Sequence, residues 1–265
     1  MSHLPDTKNK LIMNKLIISF KKGIPSALTL LNLISGCLAV LFSFHDIALA
    51  GVMVILAGVF DFVDGLAARI LDAYSDFGKE LDSLADIVSF GVAPSFILFH
   101  LISTALLKGT PYLSIDLVTV SEALILAVSF LPVIFAAIRL AKFNVASNEE
   151  EGFRGLPSPA AGIFIASAGY ILFTTGSLWI QDLLLNFRAL VIMGTGLSIL
   201  MVLPVPMFNL KFSNFSFTGN KIRYLFLLPS FILFVYLGIT AIPVIITWYI
   251  LLSLILVLLP RRVIE

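Results

Sequence analysis

Four aspartates, Asp61, Asp64, Asp82 and Asp86, sit where two apolar stretches of the chain meet, and few folds can hold them there. On a helix, Asp61, Asp64, Gly65 and Ala68 fall at i, i+3, i+4 and i+7, which is one face. Gly78, Asp82 and Asp86 fall at i, i+4 and i+8, again one face. If the two helices are antiparallel neighbours, the four carboxylates converge. An ionisable residue in a membrane helix costs roughly 2.5–3.5 kcal/mol. Four unpaired ones cost on the order of 10 kcal/mol, before their mutual repulsion. A wet cavity holding divalent cations removes both problems.

The flanking stretches belong to a membrane protein. Of 265 residues, 59% are hydrophobic and 12% charged, with a mean hydropathy of +1.06. Soluble domains carry about twice that charge fraction. The expected fold is all-α: a bundle of about eight transmembrane helices, preceded by an interfacial amphipathic helix over the basic, apolar residues 11–22. The spans are expected at about 26–44, 48–70, 80–106, 119–141, 159–177, 187–206, 222–238 and 241–259. The last two are separated by little more than Gly238 and Thr240, and so form a tight hairpin. Membrane lipids are the expected surroundings, and no nucleic-acid partner is expected.

The single cysteine, Cys37, excludes an intramolecular disulfide and a cysteine zinc site, and reads as a packing residue. Three scattered histidines give no metal cluster, and His100 reads as an interface residue. Orientation follows from the basic residues. With the amino terminus in the cytoplasm, fifteen of the 17 lysines and arginines lie inside, and only Lys108 and Arg188 outside. An even number of spans is then required. Both termini and the aspartates face the cytoplasm of a multi-pass cell-membrane protein.

The aspartates belong to the pattern Asp-x2-Asp-Gly-x2-Ala-Arg-x8-Gly-x3-Asp-x3-Asp, filled at every fixed position. This resembles the signature of the CDP-alcohol phosphatidyltransferase family. The resemblance implies a transmembrane enzyme in which an alcohol displaces CMP from a CDP-activated group with the help of divalent cations. It also implies a six-helix core, here 23–206, between a tail and interfacial helix (1–22) and a loop with a C-terminal hairpin (207–265). A homodimer is implied as well. Residue chemistry agrees: phosphoryl transfer needs positive charge on the diphosphate, and hard oxygen ligands suit two Mg²⁺ or Mn²⁺ ions. Asp61, Asp64 and Asp82 are the expected metal ligands. Asp86 is shared between metal binding and the general-base role that the family assigns to its position. Gly65 and Ala68 lack bulk, so a nucleotide can approach; close helix packing explains Ala68 equally. Arg69 either pairs with a phosphate or snorkels to the interface. Gly78 gives helix-end freedom or nucleotide clearance. Asp72, Asp76, Glu80 and the Glu149-Glu150-Glu151 run read as solvated groups.

Further stretches resemble the phosphatidylserine synthase branch of that family: Thr29-Leu-Leu-Asn32 with Gly36, Ile87 to Ser95, Arg139-Leu-Ala-Lys-Phe-Asn144, and Phe153 to Ala161. The implied substrates are CDP-diacylglycerol and L-serine. Where Lys142 stands, the branch commonly has arginine. Arg139 and Lys142 could hold the serine carboxylate or lipid phosphates, or anchor a helix end. Asn144 binds substrate or caps the helix. Ser89 lines the pocket or packs. Asn32 meets the cytidine or makes a buried interhelical bond. The same chemistry with glycerol 3-phosphate, inositol or choline is the near alternative. A cation-coupled transporter is the distant one, and a purely structural membrane protein leaves the clustered carboxylates unexplained.

Overall fold

The computed structural model describes residues 4–106, 119–145, 154–208, 216 and 219–258. The Glu149-Glu150-Glu151 run, Phe153 and the side chains of 11–20 lie outside the described residues. Eleven α-helices are found among the described residues: α1 (Leu4–Ser43), α2 (Ile47–Ile70), α3 (Asp76–Asp86), α4 (Ala93–Leu106), α5 (Val120–Ala127), α6 (Leu131–Val145), α7 (Ser158–Thr174), α8 (Leu178–Leu184), α9 (Phe187–Val202), α10 (Lys221–Leu237) and α11 (Ile242–Leu258). The described residues contain no strand, only an isolated bridge between Arg154 and Pro206.

Five described stretches are long and apolar enough to cross a membrane: Gly23–Ser43, Ile47–Ile70, Asp76–Leu106, Val120–Val145 and Lys221–Leu258. The α8–α9 pair makes a sixth if its 66° bend lies within one span. The expectation of eight passes therefore needs two further steps. One is to count α7, whose 17 residues stand at the lower limit for a crossing. The other is to divide Lys221–Leu258. A straight helix would place Phe226 and Tyr249 about 35 Å apart, but their ring centroids stand 5.7 Å apart. The chain doubles back at Gly238, as the sequence led one to expect. At the other end, the expected interfacial helix is not a separate piece. Its backbone continues into the first span as one 40-residue helix, with Pro25 inside.

The turn between α2 and α3 decides where the aspartates go. The Ala73 N–H donates to the Ala68 carbonyl (2.9 Å) and the Asp72 N–H to the Arg69 carbonyl (3.3 Å). This is the Schellman arrangement that closes a helix, and it needs a left-handed residue. Asp72 supplies it, with φ 49, a conformation aspartate tolerates better than most residues. Ser75 then caps α3, accepting the Gly78 N–H at 3.0 Å.

After Asp86 the helix widens into a π-helical segment, Ile87–Val92, before α4 begins. Two glycines clamp this segment. A Cβ on Gly36 of α1 would come 2.8 Å from Ser89 Cα, and one on Gly162 of α7 would come 2.8 Å from Phe90 Cα. Small residues let helix backbones approach this closely. Phe90 is fully buried, with Val54, Ile97, Leu98, Leu101 and Ile165 in the same core. Cys37 lies on the exposed side of α1, so it is not the packing residue that the sequence suggested. His100 is buried, edge-on to Phe44 and Phe99, with Nδ1 2.8 Å from the Phe96 carbonyl.

Asp72→Gly should fold normally, because glycine adopts the left-handed turn without strain. Asp72→Val should cost about 1–2 kcal/mol and lower the thermal midpoint of the protein in detergent. Equal midpoints for the two variants would mean that the turn does not carry this strain.

Candidate functional site

Three helices build the site. The Ile47–Ile70 helix brings Asp61 and Asp64 one turn apart, and Asp76–Asp86 brings Asp82 and Asp86 one turn apart. Asp61, Asp64 and Asp82 each offer a carboxylate oxygen, and these atoms all lie within 4.8 Å of one another. Asp86 stands outside that trio but interacts electrostatically with all three of its members. Asp64 and Asp86 are buried, while Asp61 and Asp82 are half-buried. Among the described residues, no lysine or arginine pairs with any of the four.

The first helix supplies neutral donors in place of cations. The Thr29 hydroxyl lies 2.7 Å from Asp64 Oδ2 and 3.0 Å from the Pro25 carbonyl. Asn32, one turn further on, donates Nδ2–H to Asp86 Oδ1 at 3.3 Å. Ser89 donates to the Asn32 carbonyl at 3.0 Å. Asn32 thus makes the buried interhelical bond, and Ser89 braces it from the π-helical segment. Thr29 was missed as a site residue. Its signal was present: it precedes Asn32 by three residues, which puts both on one helix face.

The donor set fits a hard divalent cation. All three convergent ligands are carboxylates, and Asp82 Oδ1 is buried without a hydrogen-bond partner. An oriented, unpartnered oxygen beside two other carboxylates is what a bound cation satisfies.

The remaining expected residues divide. Gly65 faces open space, since a Cβ there would meet nothing within 4 Å. Ala68 is half-buried, and its carbonyl closes the turn after the helix. Arg69 is exposed at the end of the same helix. A Cβ on Gly78 would stand 3.0 Å from Ser75 Oγ, which ties this glycine to the start of the helix. Asn144 Nδ2 donates to Ser83 Oγ (3.1 Å) and, at 3.5 Å, to Glu80 Oε2. It therefore joins the end of the Leu131–Val145 helix to the helix bearing Asp82 and Asp86. Glu80, read from the sequence as a solvated group, shares in that contact. Lys79 lies over the Phe143 ring, 5.8 Å from its centroid, at the same junction. Lys142 is exposed beside it. Arg139 donates Nη1–H to the carbonyls of Arg154 (2.8 Å) and Met201 (3.0 Å), so it clips a loop to the end of another helix.

Known proteins share this arrangement of sequence. Over 142 residues the chain is 39% identical to the CDP-diacylglycerol–serine O-phosphatidyltransferase of Bacillus subtilis, covering 53% of this chain and 71% of that protein. It is 35% identical over 144 residues to the enzyme of that name from Helicobacter pylori, covering 53% and 54%. It is 32% identical over 193 residues to the one from Mycobacterium tuberculosis, covering 69% and 60%. The chain thus spans between 54% and 71% of the length of these relatives. The CDP-alcohol phosphatidyltransferase family model matches residues 22–199, which contain every aspartate of the site. With that match extending from the first helix to the ninth, the chain belongs to the CDP-alcohol phosphatidyltransferase family.

Proposed function

We propose that the protein transfers the phosphatidyl group of CDP-diacylglycerol to L-serine, releasing CMP. One observation carries the reading: three carboxylates converge within 4.8 Å with no basic partner among the described residues, in a chain whose relatives are serine O-phosphatidyltransferases. Asp61, Asp64 and Asp82, with Asp86 at the edge, would hold two divalent cations, Mg²⁺ or Mn²⁺. Such ions offset the diphosphate charge and stabilise the departing nucleotide.

The chain's own groups do the rest. Asp86 takes the proton of the serine hydroxyl as its oxygen bonds to the phosphorus on the diacylglycerol side. The bond from that phosphorus to the bridging oxygen breaks, and CMP leaves with the electron pair. Asn32 fixes the Asp86 carboxylate so that its second oxygen can serve as base. Thr29 does the same for Asp64. Open space at Gly65, beside Ala68, admits the nucleotide, and Arg69 meets its phosphates. Arg139 and Lys142 form the cationic end of α6 that takes the serine carboxylate, and Asn144 anchors that end to α3. Fifteen of the 17 basic residues fall on one side of the expected topology, which supports a site and termini that face the cytoplasm.

Purified protein supplied with CDP-diacylglycerol, Mn²⁺ and one alcohol at a time should release CMP with serine. Release with glycerol 3-phosphate, inositol or choline in its place would reassign the acceptor. Asp86→Asn should lower turnover by about 10²–10⁴-fold while CMP still binds. Near-native turnover would remove Asp86 from the base role. Asp64→Ala should raise both the metal concentration needed for half-activation and the KM for CDP-diacylglycerol. An unchanged metal requirement would exclude Asp64 as a ligand.

A further inference from the structure

The family match stops at residue 199, so it says nothing of α10 and α11. Both are nevertheless tied to the region beside Arg139. Residues 154–156 are sewn to the chain around and beyond the end of α9. The Gly155 N–H donates to the Val205 carbonyl and the Leu156 N–H to the Leu200 carbonyl, each at 2.8 Å. Arg139 sits in this seam, with Nη1 shared between the carbonyls of Arg154 and Met201. Gly155 has φ 75, and a Cβ there would come 2.5 Å from the Met201 oxygen. The seam is therefore tight as well as strained for any other residue.

The far end of the seam is held from α11. The Tyr249 hydroxyl donates to the Phe208 carbonyl at 3.1 Å, and the two rings stand 4.9 Å apart. Phe226 of α10 completes a triangle, 5.5 Å from Phe208 and 5.7 Å from Tyr249. Tyr249 is only 8% exposed, and its hydroxyl holds the segment that runs from the Arg154–Pro206 bridge to Phe208. A guanidinium is a rigid planar fork, so fixing one of its nitrogens on two carbonyls fixes where the others point. Whatever sets the seam sets that direction.

We infer that Tyr249 is a positioning residue: from α11 it holds Phe208 and, through the segment bridged to Arg154, the carbonyl on which Arg139 rests, so that the hairpin outside the family core sets the cationic end of α6 at which the acceptor alcohol docks. This rests on the acceptor-side role of Arg139 in the proposed function. The bland alternative is that Tyr249 merely packs the hairpin.

The test uses the full chain in detergent, with CDP-diacylglycerol and acceptor varied separately. Tyr249→Phe keeps the ring and removes the hydroxyl. The KM for serine should rise by about threefold to tenfold, with kcat and the KM for CDP-diacylglycerol changed by less than about twofold. In an Arg139→Ala background the same substitution should add nothing, because both act through one group. Tyr236→Phe, on the outer side of α10, should leave every constant unchanged. An unchanged acceptor KM would overturn the inference. So would an equal rise in both KM values with a lowered thermal midpoint, or full additivity with Arg139→Ala. If another alcohol supports CMP release and serine does not, the serine reading falls, and the same comparison is made with that alcohol.

Discussion

Carboxylates of Asp61, Asp64 and Asp82 repel one another at separations within 4.8 Å, and everything around them answers that repulsion. At an effective dielectric near 20, two unit charges at such a distance repel by roughly 3 kcal/mol. Three such pairs together approach 10 kcal/mol, which is comparable to the whole stability of a typical domain. A hydrogen bond to a charged group returns only about 1.5–3 kcal/mol. The Thr29 hydroxyl on Asp64 and the Asn32 amide on Asp86 therefore orient the cluster without neutralising it. A divalent cation would supply the missing opposite charge. The absence of any lysine or arginine partner among the described residues leaves the charge available for that purpose.

Orientation of the cluster depends on packing that leaves little slack. Asn32 is held through its own carbonyl by Ser89, and Ser89 is pressed onto Gly36 one turn further along α1. Phe90 is held on the opposite side by Gly162. The π-helical segment between α3 and α4 is thus pinned from two sides directly after Asp86. Inserting a wider turn at this point re-aims the residues that follow it. That segment lets the buried core register of α4 coexist with a carboxylate face on α3.

The apolar segments and the two aspartate faces were legible in the sequence because each rests on local spacing, and the reaction class because the motif resembles that of a known family. Long-range partners were not. The seven-residue step from Asp82 to Ser89 suggested a shared face but not its partner, which is the Asn32 carbonyl 57 residues away. Asn144 was weighed as ligand or cap, yet it bonds Ser83, 61 residues away in sequence. Arg139 was weighed as anchor or ligand, and its carbonyl partners lie 15 and 62 residues away. No periodicity encodes such pairs. Asp72 read as a solvated acid and is exposed, but its backbone also closes the helix, and an aspartate in a short polar turn carries no mark of that second role. The fifth and sixth passes were hardest to count, because a 17-residue helix and a bent pair fall near the length at which a span stops being distinguishable by composition.

A site for this chemistry has to receive a donor with acyl tails and an acceptor that lives in water. The two flanks of the motif helices differ accordingly. Along α2, Phe62, Leu66 and Ile70 are exposed apolar side chains around the open space at Gly65. An apolar face beside a nucleotide-sized clearance suits a lipid whose tails stay among other lipids while its diphosphate turns inward to the aspartates. Across α3, the exposed Lys79 and Glu80 meet Phe143 and Asn144 of α6, with the exposed apolar side chains of Phe77 and Leu84 on the same helix. The charged pair on that flank, absent from the α2 side, suits a small zwitterion. On the proposed reading, the helix carrying Asp82 and Asp86 is the partition between the two. Its N-terminal turn is fixed by the strained residue Asp72 and its C-terminal turn by the π-helical clamp, so Asp82 and Asp86 stand on a wall tied at both ends.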